Sequence, residues 1–303
     1  MQTRYEKSTL IPDDVQVVRV EKRRRKRVWE IDFLRGLCVV LMVLDHLTIL
    51  ISDYFGPTWY GFNFAYTGKG DAFTLFCREW SYSHAREIIH PIVLFVFFSV
   101  SGISCTFSRS NAKRGLMLGG VALLYTLGSY IAEEYMGIGG VFVAFGVLDF
   151  LAVSMLLYAL IAFLCRDNRW GIVGVSVALI VVTLCLYFLY TPPATTPKIF
   201  AVIFPPYDFY GNKSLFYSQG EFSPGDLFTM IPYTAFYYAG VLIGQLLYYE
   251  RTSWFSLIDG KWNKPMCFVG RHALIVYVIH VVLMAGLLSL ITGLFITPGD
   301  FGI

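Results

Sequence analysis

The segment WEIDFLRGLCVVLMVLDH, from Trp29 to His46, decides the fold class of this chain. From Phe33 to Ile51 the side chains are almost all apolar, with Arg35 and Asp45 as the charged exceptions. A helix needs about 20 such residues to cross the hydrocarbon core of a bilayer. The segment therefore predicts a membrane-spanning helix.

Six further apolar segments of similar length follow. The chain is 56% hydrophobic and 15% charged, whereas a soluble domain carries roughly 25% charged residues. We predict an all-α, polytopic membrane helical bundle with about seven transmembrane helices. They span Phe33–Ile51, Ile88–Phe107, Gly115–Ala132, Val141–Leu164, Gly171–Tyr190, Leu227–Tyr248 and Ala273–Phe295.

Basic residues predict the orientation, because lysine and arginine accumulate on the cytoplasmic side of a membrane. With the amino terminus inside, the cytoplasmic segments hold 18 of the 24 basic residues, and the carboxyl terminus lies outside. Residues 1–28 form a polar, basic cytoplasmic tail, and residues 29–303 form the transmembrane domain. The long outer loops, 52–87 and 191–226, are rich in aromatic residues and are expected to cap the outer mouth. The basic tail suits anionic lipid, so no nucleic acid is expected as a partner.

Ionisable side chains within a bilayer are costly and often functional. Arg35 and His46 lie eleven residues apart, which places them on one helix face about 16 Å apart. A cofactor with a charged head and a reactive tip would contact both. Two alternatives stay open for Arg35, snorkelling to lipid or a pair with Glu30 or Asp32; for His46 the alternative is a helix–helix hydrogen bond.

Other candidates lie on later segments. Asp149 has no basic neighbour in sequence, so we expect it either to be protonated or to bond across helices, with a histidine as the obvious partner. His280 and Tyr277 follow Arg271 on the last segment, where simple packing explains His280 at least as well. His84 and His90 form either a site or an ordinary interfacial polar cluster, and no metal site is predicted.

The Trp29–His46 segment resembles the opening of bacterial membrane proteins grouped with the catalytic domain of heparan-alpha-glucosaminide N-acetyltransferase. Three more blocks resemble the same family in the same order: HPIVLFVFFSVSGISCTFSRSNAKRG (His90 to Gly115), AFGVLDFLAVSML (Ala144 to Leu156) and VGRHALIVYVIH (Val269 to His280). Arg35 and His46 are also similar to an arginine–histidine signature of transmembrane acyltransferases. Two departures are Asp149, where a histidine is expected, and Ala273, where a serine is usual.

The resemblance implies transfer of an acetyl group from cytosolic acetyl-CoA to an extracytoplasmic acceptor, an amino sugar or other glycan, in a bacterial plasma membrane. The donor phosphates would lie near Arg35 and Arg271, and the thioester near His46, which would act as a base oriented by Asp149 or Asp45. His84 is a candidate by position only, because the family's animal enzyme has its key histidine in the first outer loop. The candidate site residues are the catalytic set His46, Asp149, His280, Asp45, His84 and His90, and the donor-binding set Arg35, Arg271 and Tyr277.

Two matters stay open from the sequence. A proton-coupled transporter or channel using the intramembrane histidines and aspartate is the alternative function. Gly240 and Gly244 have helix-packing spacing, which fits internal packing as well as a homodimer.

Overall fold

Helices make up most of the part of the chain that the computed structural model describes, which is residues 27–108, 110–136, 141–190, 202–203 and 226–295. Short strands β1 (Val143–Phe145) and β2 (Asp226–Leu227) pair in parallel. A π-helix, Leu50–Phe55, continues α1, and a 3-10 turn spans Ser256–Ile258. The α-helices of the described residues are α1 Trp29–Ile49, α2 Gly56–Tyr60, α3 Phe64–Thr67, α4 Ala72–Ser81, α5 His84–Thr106, α6 Asn111–Met136, α7 Val147–Leu164, α8 Arg169–Leu189, α9 Met230–Leu246, α10 Lys264–Arg271 and α11 Ala273–Phe295.

Six of these helical segments are long and apolar enough to cross a membrane, which confirms an all-α polytopic membrane bundle. The seventh predicted segment contains α9, whose 17 residues rise about 26 Å against a hydrocarbon core of about 30 Å. A seventh span, and the orientation of the bundle, therefore stay predictions. The six are Trp29–Tyr60, His84–Thr106, Asn111–Tyr135, Val147–Leu164, Arg169–Leu189 and Ala273–Gly293.

Glycines allow two helix pairs to pack with their backbones in contact. Between α1 and α10, a Cβ placed on Gly270 would lie 1.8 Å from the carbonyl oxygen of Asp32. Between α5 and α9, a Cβ on Gly240 would lie 1.9 Å from the carbonyl oxygen of Ser99. Gly244 packs against Thr106 in the same interface. The spacing of Gly240 and Gly244 thus serves packing within the chain, and a homodimer stays a prediction.

The predicted fourth segment, Val141–Leu164, starts as a strand and becomes helical only at Val147. Its first residues form β1, and Gly146 is extended at the helix start. The backbone N–H of Gly146 donates to Oδ2 of Asp149 at 3.0 Å, which caps the first turn of α7. The expectation that Asp149 pairs with a histidine across helices is therefore wrong, because its carboxylate serves the amino terminus of its own helix.

The first outer loop, residues 52–87, is largely helical and packs on the outer ends of α1 and α11. Trp59 of α2 donates from Nε1 to Oγ1 of Thr292, at 2.8 Å. Ile51, Trp59, Cys77 and Leu288 form a buried apolar cluster, which we call the outer plug. The second outer loop and the amino-terminal tail lie outside the described residues, except for residues 27–28, 202–203 and 226.

Candidate active site

Arginines dominate a cavity of about 450 Å³ at the end of the bundle where α1 begins. We call this cavity the arginine vestibule and this end the inner end. Five arginines, from five different parts of the chain, share its wall with one carboxylate, that of Asp32. The positive side chains that line it are Arg27, Arg35, Arg114, Arg251 and Arg271.

Local hydrogen bonds hold several of these guanidinium groups in place. Arg35 donates to Oγ of Ser104, to the carbonyl oxygen of Gly270 at 3.4 Å, and to Oδ1 of Asp32 at 3.3 Å. Arg271 donates from Nε to its own helix, at the carbonyl of Cys267, 3.1 Å away. Arg35 thus joins α1, α5 and α10 at one point. The pair of Arg35 with Asp32, one of the alternatives that the sequence left open, is present.

A second cavity, of about 360 Å³, adjoins the vestibule. Arg35, Ser104, Arg114 and Arg271 line both cavities, so that the two lie side by side. The inner cavity runs between α5, α6, α7 and α11 and is mainly apolar, with a few hydroxyl groups. Its further lining includes Phe97, Ser101, Leu118, Leu148, Leu151, Met155 and Tyr277.

A pair of histidines lies beyond Tyr277, which is part of the inner cavity wall. The rings of Tyr277 and His280 are 5.8 Å apart, and the rings of His280 and His46 are 5.0 Å apart in an edge-to-face arrangement. The close packing of α10 on α1 at Gly270 and Gly36 lies ten residues before each histidine, and α11, which carries His280, follows α10 directly.

Backbone carbonyls determine the tautomers of both histidines. Nδ1 of His46 lies 2.8 Å from the carbonyl oxygen of Met42, and Nδ1 of His280 lies 2.7 Å from that of Tyr277. Because a carbonyl oxygen only accepts, each Nδ1 carries the proton and each neutral ring keeps a lone pair on Nε2. Nε2 of His280 is buried without a hydrogen-bond partner among the described residues. Met42, rather than Asp45 or Asp149, holds Nδ1 of His46, and a role of either carboxylate in stabilising the imidazole stays a prediction.

Two ion pairs lie at the opposite, outer end of the bundle. Arg86 of α5 donates from Nε and Nη2 to the two carboxylate oxygens of Asp45, at 2.7 and 2.8 Å. Arg78 of α4 lies 3.0 Å from Oδ1 of Asp53. Each outer arginine therefore has its own carboxylate partner.

The remaining candidate histidines differ in position. His90 lies near enough to Asp45, Arg86 and His46 for their charges to act on it. His84 has a side chain that is 97% exposed and an ion-pair contact of 2.8 Å with Glu87. The structure thus groups His90 loosely with the histidine pair, whereas His84 has only a surface contact.

Sequence reasoning brought Arg35, Arg271 and Tyr277 to one cavity but missed other members of the site. Arg114 and Arg251 were counted only as cytoplasmic charges, and Ser104 and Arg86 were not singled out. A signal existed for Arg114, because it lies within the second block of family resemblance, His90 to Gly115. Its approach to Arg35 depends on helix packing that the sequence does not show.

Comparison with known proteins agrees with this architecture. Residues 61–282 match the family described as "Heparan-alpha-glucosaminide N-acetyltransferase, catalytic". The matched range includes Arg114, Arg271 and His280 but begins after Arg35 and His46. No curated protein and no solved structure matches the chain. Since the match covers well over half of its length, this multi-pass membrane protein belongs to the heparan-alpha-glucosaminide N-acetyltransferase catalytic family of membrane acetyltransferases.

Proposed function

We propose that this protein transfers an acetyl group from acetyl-CoA, bound from the inner end, to an acceptor amine or hydroxyl at the outer end. The observation that carries the proposal is that the arginine vestibule and the inner cavity share wall residues, and that Tyr277 of the inner cavity lies next to the histidine pair. Coenzyme A has the matching order of groups, namely phosphates, a long flexible arm and a thioester. Guanidinium groups bind phosphate through paired, charge-assisted hydrogen bonds.

The inner cavity suits the pantetheine arm. Apolar side chains from α5, α6 and α7 would pack against its methyl and methylene groups. The hydroxyl groups of Ser101 and Ser104 lie within the same wall and would meet the amides of the arm. With the phosphates at Arg35, the thioester would point towards Tyr277 and the histidines.

The histidine pair supplies a base beyond Tyr277. Nε2 of one imidazole would accept the proton of the acceptor as its nitrogen or oxygen bonds to the acetyl carbon. The carbon–sulfur bond then breaks, and the CoA sulfur leaves with the proton returned from the imidazole. An acetyl-histidine intermediate is an alternative that the same geometry permits. An amino sugar or other glycan is the acceptor class that the family implies.

Binding is the first experiment, performed on detergent-purified protein by calorimetry with acetyl-CoA and free CoA. Micromolar binding of acetyl-CoA supports the proposal. Absence of binding, together with proton flux in liposomes, would instead support the transporter or channel. That the protein resides in a bacterial plasma membrane is a separate prediction.

Substitution of the base is the second experiment. We expect His46→Ala to lower the turnover number of acetyl transfer by about 10²- to 10⁴-fold, the usual contribution of a general base, with an unchanged dissociation constant for acetyl-CoA. His280→Ala tests the other imidazole in the same assay, and His84→Ala tests the exposed histidine that the family resemblance makes a candidate. Unchanged turnover in both His46→Ala and His280→Ala would rule out the histidine pair as the base.

A further inference from the structure

The outer plug closes one approach to the histidine pair. Leu47 and Leu50 follow His46 on the same helix and pack against the plug, while Leu288 lies about two turns beyond His280. Ile51, Trp59, Cys77 and Leu288 are all buried. Burial raises the pKa of the Cys77 thiol to about 11, as expected for an apolar surrounding. A polar acceptor therefore meets packed hydrocarbon along the line between α1 and α11.

The packing is different on the side of the histidine pair that faces α5. Every residue from Glu87 to Ile92 is exposed, and because successive residues turn by about 100°, they cover all directions around the helix. The outer part of α5 is therefore less tightly packed than its inner part, where the residues from Phe98 to Ile103 are buried. It carries polar groups there, with Arg86 one helical turn before His90, which a helix facing only lipid would avoid.

The Asp45–Arg86 pair marks the point where this open side reaches His46. Asp45 immediately precedes His46, and its side chain is 16% exposed while that of Arg86 is 25% exposed. Partly desolvated ion pairs add little net stability, because burying both charges offsets their attraction. An ion pair at this position does present a carboxylate edge and a guanidinium edge together, which suits hydrogen bonds to an amine and to neighbouring hydroxyl groups.

We propose that the acceptor reaches His46 sideways, through a port framed by His90 and the Asp45–Arg86 pair, and that the outer plug excludes it from the path between α1 and α11. The port selects polar, hydrogen-bonding acceptors such as amines on a sugar ring. The role of the port rests on the proposed function, whereas its accessibility to water does not.

Cysteine accessibility tests the port without any need for acetyl transfer. In a version of the protein without its native cysteines, His90→Cys, Leu288→Cys and Leu124→Cys are each treated with a charged methanethiosulfonate reagent in detergent. Leu124, 71% exposed on α6, controls for a position covered by detergent. We expect His90→Cys to react at least tenfold faster than the other two. Equal rates at His90→Cys and Leu124→Cys, or rapid reaction of Leu288→Cys, would overturn the port.

Acetyl transfer to D-glucosamine tests what the port does. Asp45→Asn and Arg86→Lys are expected to raise the KM for glucosamine at least fivefold without changing the dissociation constant of acetyl-CoA. The matched pair Asp53→Asn and Arg78→Lys, at the other outer ion pair, should leave that KM unchanged. Equal effects at both pairs would overturn the proposed selectivity. Rapid modification at His90→Cys without any transfer to amine acceptors would support the port and count against the acetyltransferase proposal.

Discussion

The two ends of the bundle use arginine in opposite ways. At the inner end, five arginines line one vestibule together with the single carboxylate of Asp32. At the outer end, Arg86 pairs with Asp45 and Arg78 pairs with Asp53. The inner end therefore concentrates positive charge in one cavity, whereas at the outer end each of these two arginines is neutralised by a carboxylate.

This difference between the two ends indicates which arginines are candidates to bind a ligand. Guanidinium groups that share a cavity repel one another, and an incoming polyanion relieves that repulsion while it gains charge-assisted hydrogen bonds. The gain is smaller at the outer end, where each arginine already pairs with a carboxylate, than at the inner end, where Asp32, the partner of Arg35, is the one carboxylate beside five arginines. The inner arginines are therefore the candidates for phosphate binding, whereas Arg86 and Arg78 are candidates for structure and only Arg86 is also a candidate for acceptor selection.

Removal of Arg35 should have the largest effect on donor binding. Because a hydrogen bond to a charged group contributes about 1.5–3 kcal/mol, Arg35→Ala is expected to raise the dissociation constant of acetyl-CoA by roughly 10- to 100-fold. Calorimetry measures the change. Arg35→Lys keeps the charge but lacks the planar fork, so it should recover only part of the affinity. An unchanged dissociation constant in Arg35→Ala would contradict a phosphate contact.

Removal of an outer arginine should instead lower stability. Arg86→Gln leaves the largely buried carboxylate of Asp45 without its partner, which costs about 2 kcal/mol of unfolding free energy. A thermal unfolding scan should show a midpoint lower by several degrees. The double variant Asp45→Asn with Arg86→Gln should recover part of the loss, since no unpaired charge then remains.

Arg78→Gln is the control for that comparison. Its partner Asp53 is more exposed and makes a single contact with it, and such pairs contribute at most about 1 kcal/mol. We expect a smaller change of the midpoint than in Arg86→Gln. Neither outer variant should change acetyl-CoA affinity, and a large loss of affinity in both would remove the distinction between the two ends.

Substitution of Arg114 should have the smallest effect on acetyl-CoA binding. Its guanidinium lines both cavities but is exposed, so salt screens its interaction with a phosphate. Arg114→Ala is expected to weaken acetyl-CoA binding about threefold at low ionic strength and less at high salt. Calorimetry at two salt concentrations tests this, and a loss independent of salt would indicate a direct, desolvated contact instead.

The sequence predicted the individual helices well but predicted poorly which residues contact one another. Hydropathy located the spans, and helical periodicity placed Arg35 and His46 on one face; Arg35 then proved to line the vestibule and His46 to face His280. Periodicity failed for Asp149, because a carboxylate three residues into a helix has a backbone N–H close by, and Asp149 accepts that local hydrogen bond. The outer plug agrees with the expectation that residues 52–87 cap the outer mouth, but the sequence did not show which residues form it, since this loop has no apolar run of spanning length.

By itself, the sequence determined that the chain enters the membrane, which segments do so, and the family blocks it carries, because these follow from local composition and spacing. Only the tertiary structure decided that Arg114 and Arg271 join Arg35, and that His280 meets His46. Helices in lipid have no hydrophobic driving force that selects one partner over another. The backbones of α1 and α10 approach closely at Gly36 and Gly270, and this contact selects them as partners. Such a fit between two backbones exists only in the folded chain.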